Sequence, residues 1–136
     1  MGDNEQILRA SYAGLNQGSV EAAVAILSPE AVWSESADFP GGDVFRGRDE
    51  IDAFLRHFLE SWSEFHQEIV EVTQAGDRVA LVIELRAVGR TSGAEVTARY
   101  AHVWTLRDGT GVAVDAYRDA EAAVRAVASP PDAQTP

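Results

Sequence analysis

The sequence contains no cysteine and a single methionine in 136 residues. Without cysteine there is no disulfide framework, no thiolate nucleophile and no thiolate metal site. Positive charge is scarce: 11 basic residues face 22 acidic ones, a net charge of −11. Nucleic acid and anionic membranes both call for a basic surface, so neither is an expected partner. No apolar run approaches the ~20 residues that span a bilayer. Met1-Gly2-Asp3-Asn4-Glu5 is acidic and lacks the apolar centre of a secretion signal, which makes a cytoplasmic location the default expectation. His57, His66 and His102 are scattered without ligand spacing, so neither a metal nor a cofactor is expected.

What the chain does have is a long stretch of strand formers. Arg78–Gly89, Ala94–Leu106 and Val112–Tyr117 are rich in Val, Leu, Ile, Thr and Tyr. Short turn segments with Gly, Ser and Asp separate them, the pattern of an antiparallel meander. Leu81, Ile83, Leu85 and Ala87 share one face by alternation, with Glu84 and Arg86 on the other. An apolar sheet face must be covered, and the first half of the chain supplies helices to do so. Leu8, Ser11, Tyr12 and Leu15 form the stripe of a first helix over 3–16. Ser19 caps a second, with Val20, Ala23, Val24 and Leu27 on its stripe until Ser28-Pro29 stops it. Ala31–Ser36 is a strand that puts Trp33 and Glu35 on one face. Ile51, Phe54, Leu55, Phe58, Leu59 and Trp62 mark a third helix after Gly47. Phe65–Gln74 is a further strand, and Ala120–Ala128 a short terminal helix. The result is one α+β domain over 1–128, with 129–136 expected as a mobile tail.

Four segments, in this order and spacing, resemble the nuclear transport factor 2-like superfamily, within it the SnoaL-like and ketosteroid isomerase-like branch. They are Tyr12-Ala13-Gly14-Leu15-Asn16-Gln17-Gly18-Ser19, Ala31-Val32-Trp33-Ser34-Glu35, Phe45-Arg46-Gly47-Arg48-Asp49-Glu50-Ile51 and Ala101-His102-Val103-Trp104-Thr105-Leu106-Arg107-Asp108-Gly109. The resemblance implies a cone: a curved antiparallel sheet wrapped around the three N-terminal-half helices, enclosing a hydrophobic pocket. Its members include isomerases, polyketide cyclases, dehydratases, epoxide hydrolases and non-enzymatic modules, so fold alone names no reaction.

The resemblance places Glu35 where ketosteroid isomerase-like enzymes carry a catalytic carboxylate base. Physical reasoning agrees. A carboxylate beside the Trp33 indole in a dry cavity is poorly solvated, and its pKa rises towards the range of a useful base. The isomerases also place a tyrosine in the first helix and an acid on the penultimate strand. The matching positions here are Ser11 and Ala101, so the machinery for steroid isomerisation is incomplete. Tyr12, next to Ser11, is the candidate electrophilic partner, although one residue turns a side chain by ~100° on a helix.

With Ala101 inward, Arg99, Val103 and Thr105 face the pocket too, joined by Val114, Ala116 and Arg118 from the last strand. Arg99 or Arg118 would then pair with Glu35 or with an acidic ligand. Tyr100, His102, Trp104 and Leu106 would lie on the convex face, an apolar patch suited to a homodimer. A slip of one residue exchanges the two sets and makes His102 an acid or base in the pocket. Asp38 sits on the loop at the pocket mouth, either as a ligand contact or as a turn former; Phe58 and Trp62 are wall residues. The expected function is proton transfer on a mostly apolar carbonyl compound by a cofactor-free isomerase or cyclase. The alternative is a non-catalytic ligand-binding or dimerisation module.

Overall fold

The computed structural model describes residues 2–35 and 42–128. The tail at 129–136 and the loop that carries Asp38 lie outside the described residues. Helix α1 (Gly2–Asn16) buries Leu8, Ser11, Tyr12 and Leu15 along one stripe. It ends where Gly18 adopts φ 87°, a conformation that costs other residues dearly. Ser19 then caps α2 (Val20–Val24) by accepting a hydrogen bond from the Ala22 amide at 3.1 Å.

The second helix is shorter than its apolar spacing suggested. Leu27 already belongs to strand β1 (Leu27–Ser34), and pairs with Gly111. Pro29 lies inside this strand, and the register of β1 shifts between Leu27 and Val32 to accommodate the interrupted ladder. Strand β2 (Val44–Arg46) was not foreseen; three residues are too few to show a period. Helix α3 (Arg48–Glu60) follows, then β3 (Trp62–Ala75), β4 (Arg78–Gly89), β5 (Glu95–Arg107), β6 (Thr110–Tyr117) and α4 (Ala120–Ala128). Trp62 therefore opens a strand and does not extend the α3 stripe.

The strands form one curved, unclosed sheet of six in the order β2-β1-β6-β5-β4-β3. Every neighbouring pair is antiparallel except β1 and β6, which run parallel. The meander pairs at Ala80 with Val103 and at Leu81 with His102, so each face is set by alternation across β4 and β5.

Both faces are covered. The main core joins Leu8, Tyr12 and Leu15 of α1 and Ile51 and Leu55 of α3 to Leu81, Ile83, Trp104, Leu106 and Val114 of the sheet. A second core on the opposite face packs Ala120, Ala123 and Val127 of α4 on Ala80, Val82, Ala101 and Val103. The second core reverses the expected parity of β5. Ala101 and Val103 point to α4, while Tyr100, His102, Trp104 and Leu106 point to the helices of the main core. Small side chains let a helix dock closely on one side; the large ones fill the wider space on the other. Tyr100, His102 and Trp104 are accordingly absent from any convex patch, and the surface reasoned to dimerise through them does not exist in that form. Val103 is fully buried beneath α4 and is no ligand contact.

Candidate active site

Between the helices and the inner sheet face lies a cavity of about 400 Å³. Its walls are largely aromatic: Trp33 from β1, Phe54 and Phe58 from α3, and Tyr100 and Trp104 from β5. Apolar walls with a few convergent polar groups are the usual make-up of a small-molecule site. Four polar side chains concern the chemistry here: Tyr12, Glu35, Gln67 and His102 all line this space.

Glu35 follows β1 directly, two residues after Trp33 and on the same side of the chain. The Trp33 Nε1–H donates to Glu35 Oε2 at 2.5 Å. Burial raises the Glu35 pKa above its ordinary 4.5; the indole bond opposes that rise and the Asp43 charge adds to it. Among the described lining residues it is the one carboxylate.

His102 and Tyr12 form the polar floor. Tyr12 O–H and His102 Nδ1 are 2.5 Å apart, and Trp104 Nε1–H donates to the Tyr12 oxygen at 2.9 Å. Hydrogen-bond accounting assigns the protons. Trp104 can only donate, so Tyr12 accepts from it and sends its own proton to His102 Nδ1. The imidazole is then the neutral tautomer with its proton on Nε2, and Nε2–H is what it offers to the cavity. Burial agrees, lowering the His102 pKa to about 3 and keeping the ring uncharged near neutrality. Burial also drives the Tyr12 pKa far upward, so this hydroxyl stays protonated. The Trp33 ring meets His102 edge-on, with centroids 5.0 Å apart at 74°. Indoles thus flank both the carboxylate and the imidazole.

Gln67 and Tyr100 lie beside the His102 ring, whose centroid is 5.3 Å from that of Tyr100, and Gln67 Nε2–H donates to the Tyr100 hydroxyl. Burial pushes the Tyr100 pKa up to about 12, against that hydrogen bond.

The expected residues separate clearly. Glu35, Tyr12, His102, Trp33, Phe58 and Arg118 line the cavity. Arg99 also reaches its edge, but its guanidinium turns away to Glu84 at 3.3 Å and Glu121 at 4.0 Å. It makes no pair with Glu35, because its parity is that of Ala101. Trp62 packs on Phe58, with centroids 6.0 Å apart, and is not among the lining residues. Asp38 falls outside the described residues. The two positions matched to the isomerase machinery serve the scaffold: Ser11 Oγ–H donates to the Ala23 carbonyl at 2.9 Å, and Ala101 lies under α4.

Sequence reasoning missed Gln67 altogether and put Tyr100 outside. A signal for Gln67 existed. It alternates with Phe65 and Ile69, so a polar side chain stood in an otherwise apolar row. Among the described residues no cluster of acidic groups and histidines could hold a metal ion, and no helix is long and apolar enough to cross a membrane.

Comparison with known proteins follows the same lines. The family model of the SnoaL-like domain matches residues 8–114. An NTF2-like protein from Burkholderia thailandensis is 28% identical with a TM-score of 0.71, the match covering 98% of each chain. An NTF2-like protein of unknown function from Burkholderia pseudomallei is 25% identical with a TM-score of 0.76, covering 93% of this chain and 98% of the other. A structure described as a SnoaL-like polyketide cyclase, from a Jannaschia species, has a TM-score of 0.76 at 17% identity, covering 95% of this chain and 94% of its own, and speaks for the fold alone. No curated protein matches the chain.

Proposed function

The chain belongs to the SnoaL-like domain family, and from that premise we propose that it moves a proton on a small, mostly apolar carbonyl compound without a cofactor. Glu35 is the base. It takes a proton from the carbon next to the carbonyl, and the released electron pair moves onto the carbonyl oxygen to give an enolate. The neutral His102 donates its Nε2 hydrogen bond to that oxygen. Return of the proton from Glu35 to a carbon conjugated with the enolate gives isomerisation; attack by the enolate carbon on a second carbonyl of the same molecule closes a ring, and the alkoxide so formed takes the proton back from Glu35. Tyr12, reasoned from sequence to be the electrophilic partner, is a positioning residue in this reading, since its proton is committed to His102.

The observation that carries the reading is the Glu35–Trp33 pair: one carboxylate, half-buried in an aromatic cavity, with its pKa raised by burial. Such a group holds little solvation and reacts as a stronger base than one in water. The test is deuterium incorporation at the α-carbon of 2-tetralone in D2O, followed by proton NMR. Wild type should accelerate exchange, and Glu35→Gln should lose about 10²- to 10⁴-fold of that acceleration. Full exchange by Glu35→Gln ends the proposal. A second reading, a non-catalytic binder, draws on Ser11 and Ala101 serving the scaffold. It predicts ligand binding in wild type with no exchange above buffer.

A further inference from the structure

The Glu35 carboxylate has one oxygen to spare. Trp33 Nε1–H donates to Oε2, and among the described residues no hydrogen bond reaches Oε1. The partnerless polar atoms sealed away from solvent, among the described residues, are Trp62 Nε1 and Gln67 Oε1. Glu35 Oε1 is not one of them, so it opens on the cavity that Glu35 lines. No described cation stands beside it either. The neighbouring charge that acts on Glu35 is Asp43, of its own sign. Arg99, at the cavity edge, is committed to Glu84 and Glu121. Arg118 lines the cavity from an exposed position, where water and salt screen its charge. A half-buried anion compensated by a single indole proton calls for an opposite charge close by.

The surroundings of that oxygen are aromatic. Trp33 and Phe54 both line the cavity, with centroids 5.9 Å apart and planes at 56°, so the two rings form a corner. Phe45 stacks on one face of Phe54, at 4.2 Å and 18°, and is not itself a lining residue. The opposite face of Phe54 is the one left for the cavity. Phe58 continues this wall, 6.3 Å from Phe54. A ring face carries partial negative charge and attracts a cation within about 6 Å of its centre. Carboxylate and ring faces therefore favour the same charge on a ligand.

The kind of cation follows from the donor set. A metal ion asks for several oxygen or nitrogen ligands, and among the described residues no cluster of acidic groups and histidines could hold one. An organic ammonium ion suits both parts of the corner, with its N–H on the carboxylate and its carbons on the rings. The net charge of −11 also draws cations towards the molecule. We propose that the corner of Trp33, Phe54 and Glu35 binds a hydrophobic organic ammonium ion, which donates to Glu35 Oε1 and packs against the Phe54 face. This site shares its cavity with the proposed proton transfer but needs no turnover, and its occupant would compete with the carbonyl compound for Glu35.

Isothermal titration calorimetry on the full chain near neutral pH, with 2-(aminomethyl)naphthalene and 2-(hydroxymethyl)naphthalene, tests the site. The two probes have the same shape and both donate hydrogen bonds; only the first is a cation. Wild type should bind the ammonium roughly 10- to 100-fold more tightly, the factor expected for a hydrogen bond between charged groups. Glu35→Gln keeps the shape of the side chain and should bring the two affinities within about threefold, with the alcohol still bound. Phe54→Leu should weaken the ammonium roughly 3- to 30-fold more than the alcohol. Glu35→Gln decides alone if the leucine variant does not fold. Equal or tighter binding of the alcohol by wild type, binding of neither probe, a preference that survives in Glu35→Gln, or a loss in Phe54→Leu shared equally by both probes overturns the proposal. The two readings of the cavity fail separately in wild type. Exchange of 2-tetralone without a preference for the ammonium ends this inference alone, and the preference without exchange ends the proton transfer alone.

Discussion

The Tyr12 hydroxyl stands 2.5 Å from His102 Nδ1 and joins the first helix to the fifth strand across 90 residues of sequence. The same oxygen receives the Trp104 indole proton at 2.9 Å. One hydroxyl thus fixes the tautomer of the imidazole and closes the floor of the cavity. Tyr12→Phe keeps the ring and removes both bonds, leaving a buried indole proton and a buried imidazole nitrogen without partners. A loss of roughly 2–4 kcal/mol in unfolding free energy is expected from two such groups. Urea denaturation followed by tryptophan fluorescence measures it; an unchanged midpoint would show that the hydroxyl holds nothing.

His102 also makes stability depend on acid. Its folded pKa lies near 3, its unfolded value near 6.5. Between those limits the unfolded chain binds a proton that the folded chain refuses, so stability falls as pH drops from 6.5 towards 3. The slope from this group is at most about 1.4 kcal/mol per pH unit. Glu35 acts in the opposite sense. Its pKa is raised on folding, so its ionisation costs stability as pH climbs above 4.5. His102→Gln should flatten the dependence of the urea midpoint over the acid window. Parallel slopes in wild type and variant would contradict the buried neutral imidazole.

The Trp33 indole steadies the Glu35 anion. Trp33→Phe removes that donor and leaves an apolar neighbour, so the Glu35 pKa should rise further. A base works only when ionised. The pH profile of 2-tetralone exchange should therefore climb from the acid side, with its midpoint above 4.5, and move to higher pH in Trp33→Phe. A midpoint that moves down, or stays put, would mean that the indole does not stabilise the charge.

Gly111 lies where β6 passes the Trp104 ring. A methyl group there would meet Trp104 Cζ3 at 2.7 Å and Leu27 Cδ2 at 3.3 Å. Gly111→Ala must displace the indole and with it the bond to Tyr12, at a cost of about 1–3 kcal/mol typical of overpacking. Thermal unfolding gives the stability change. Slower 2-tetralone exchange would show that the shift reaches the cavity.

Much of this architecture was written in local pattern. The stripe of Leu8, Ser11, Tyr12 and Leu15, the α3 row from Ile51 to Leu59 and the meander from Arg78 each announced themselves, because one period dominated each. The shared face of Trp33 and Glu35 was legible for the same reason. The β5 parity was not. Tyr100, His102, Trp104 and Leu106 alternate with Ala101 and Val103, and both sets are buried, one against the N-terminal helices and one against α4. Alternation shows that two faces exist without saying which looks inward; side-chain size was the better guide. Arg99 went astray with its row. Trp62 was misplaced because a strand beginning just after a helix prolonged the helical spacing by coincidence.

The second core beneath α4 has a consequence for how the cavity is governed. Ala101 and Val103 are gripped from behind by Ala120, Ala123 and Val127. The segment that presents Tyr100, His102 and Trp104 is therefore clamped by a helix that contributes no residue to the cavity lining. Trimming the alanines of that clamp, or enlarging them, would retune the hollow from its blind side.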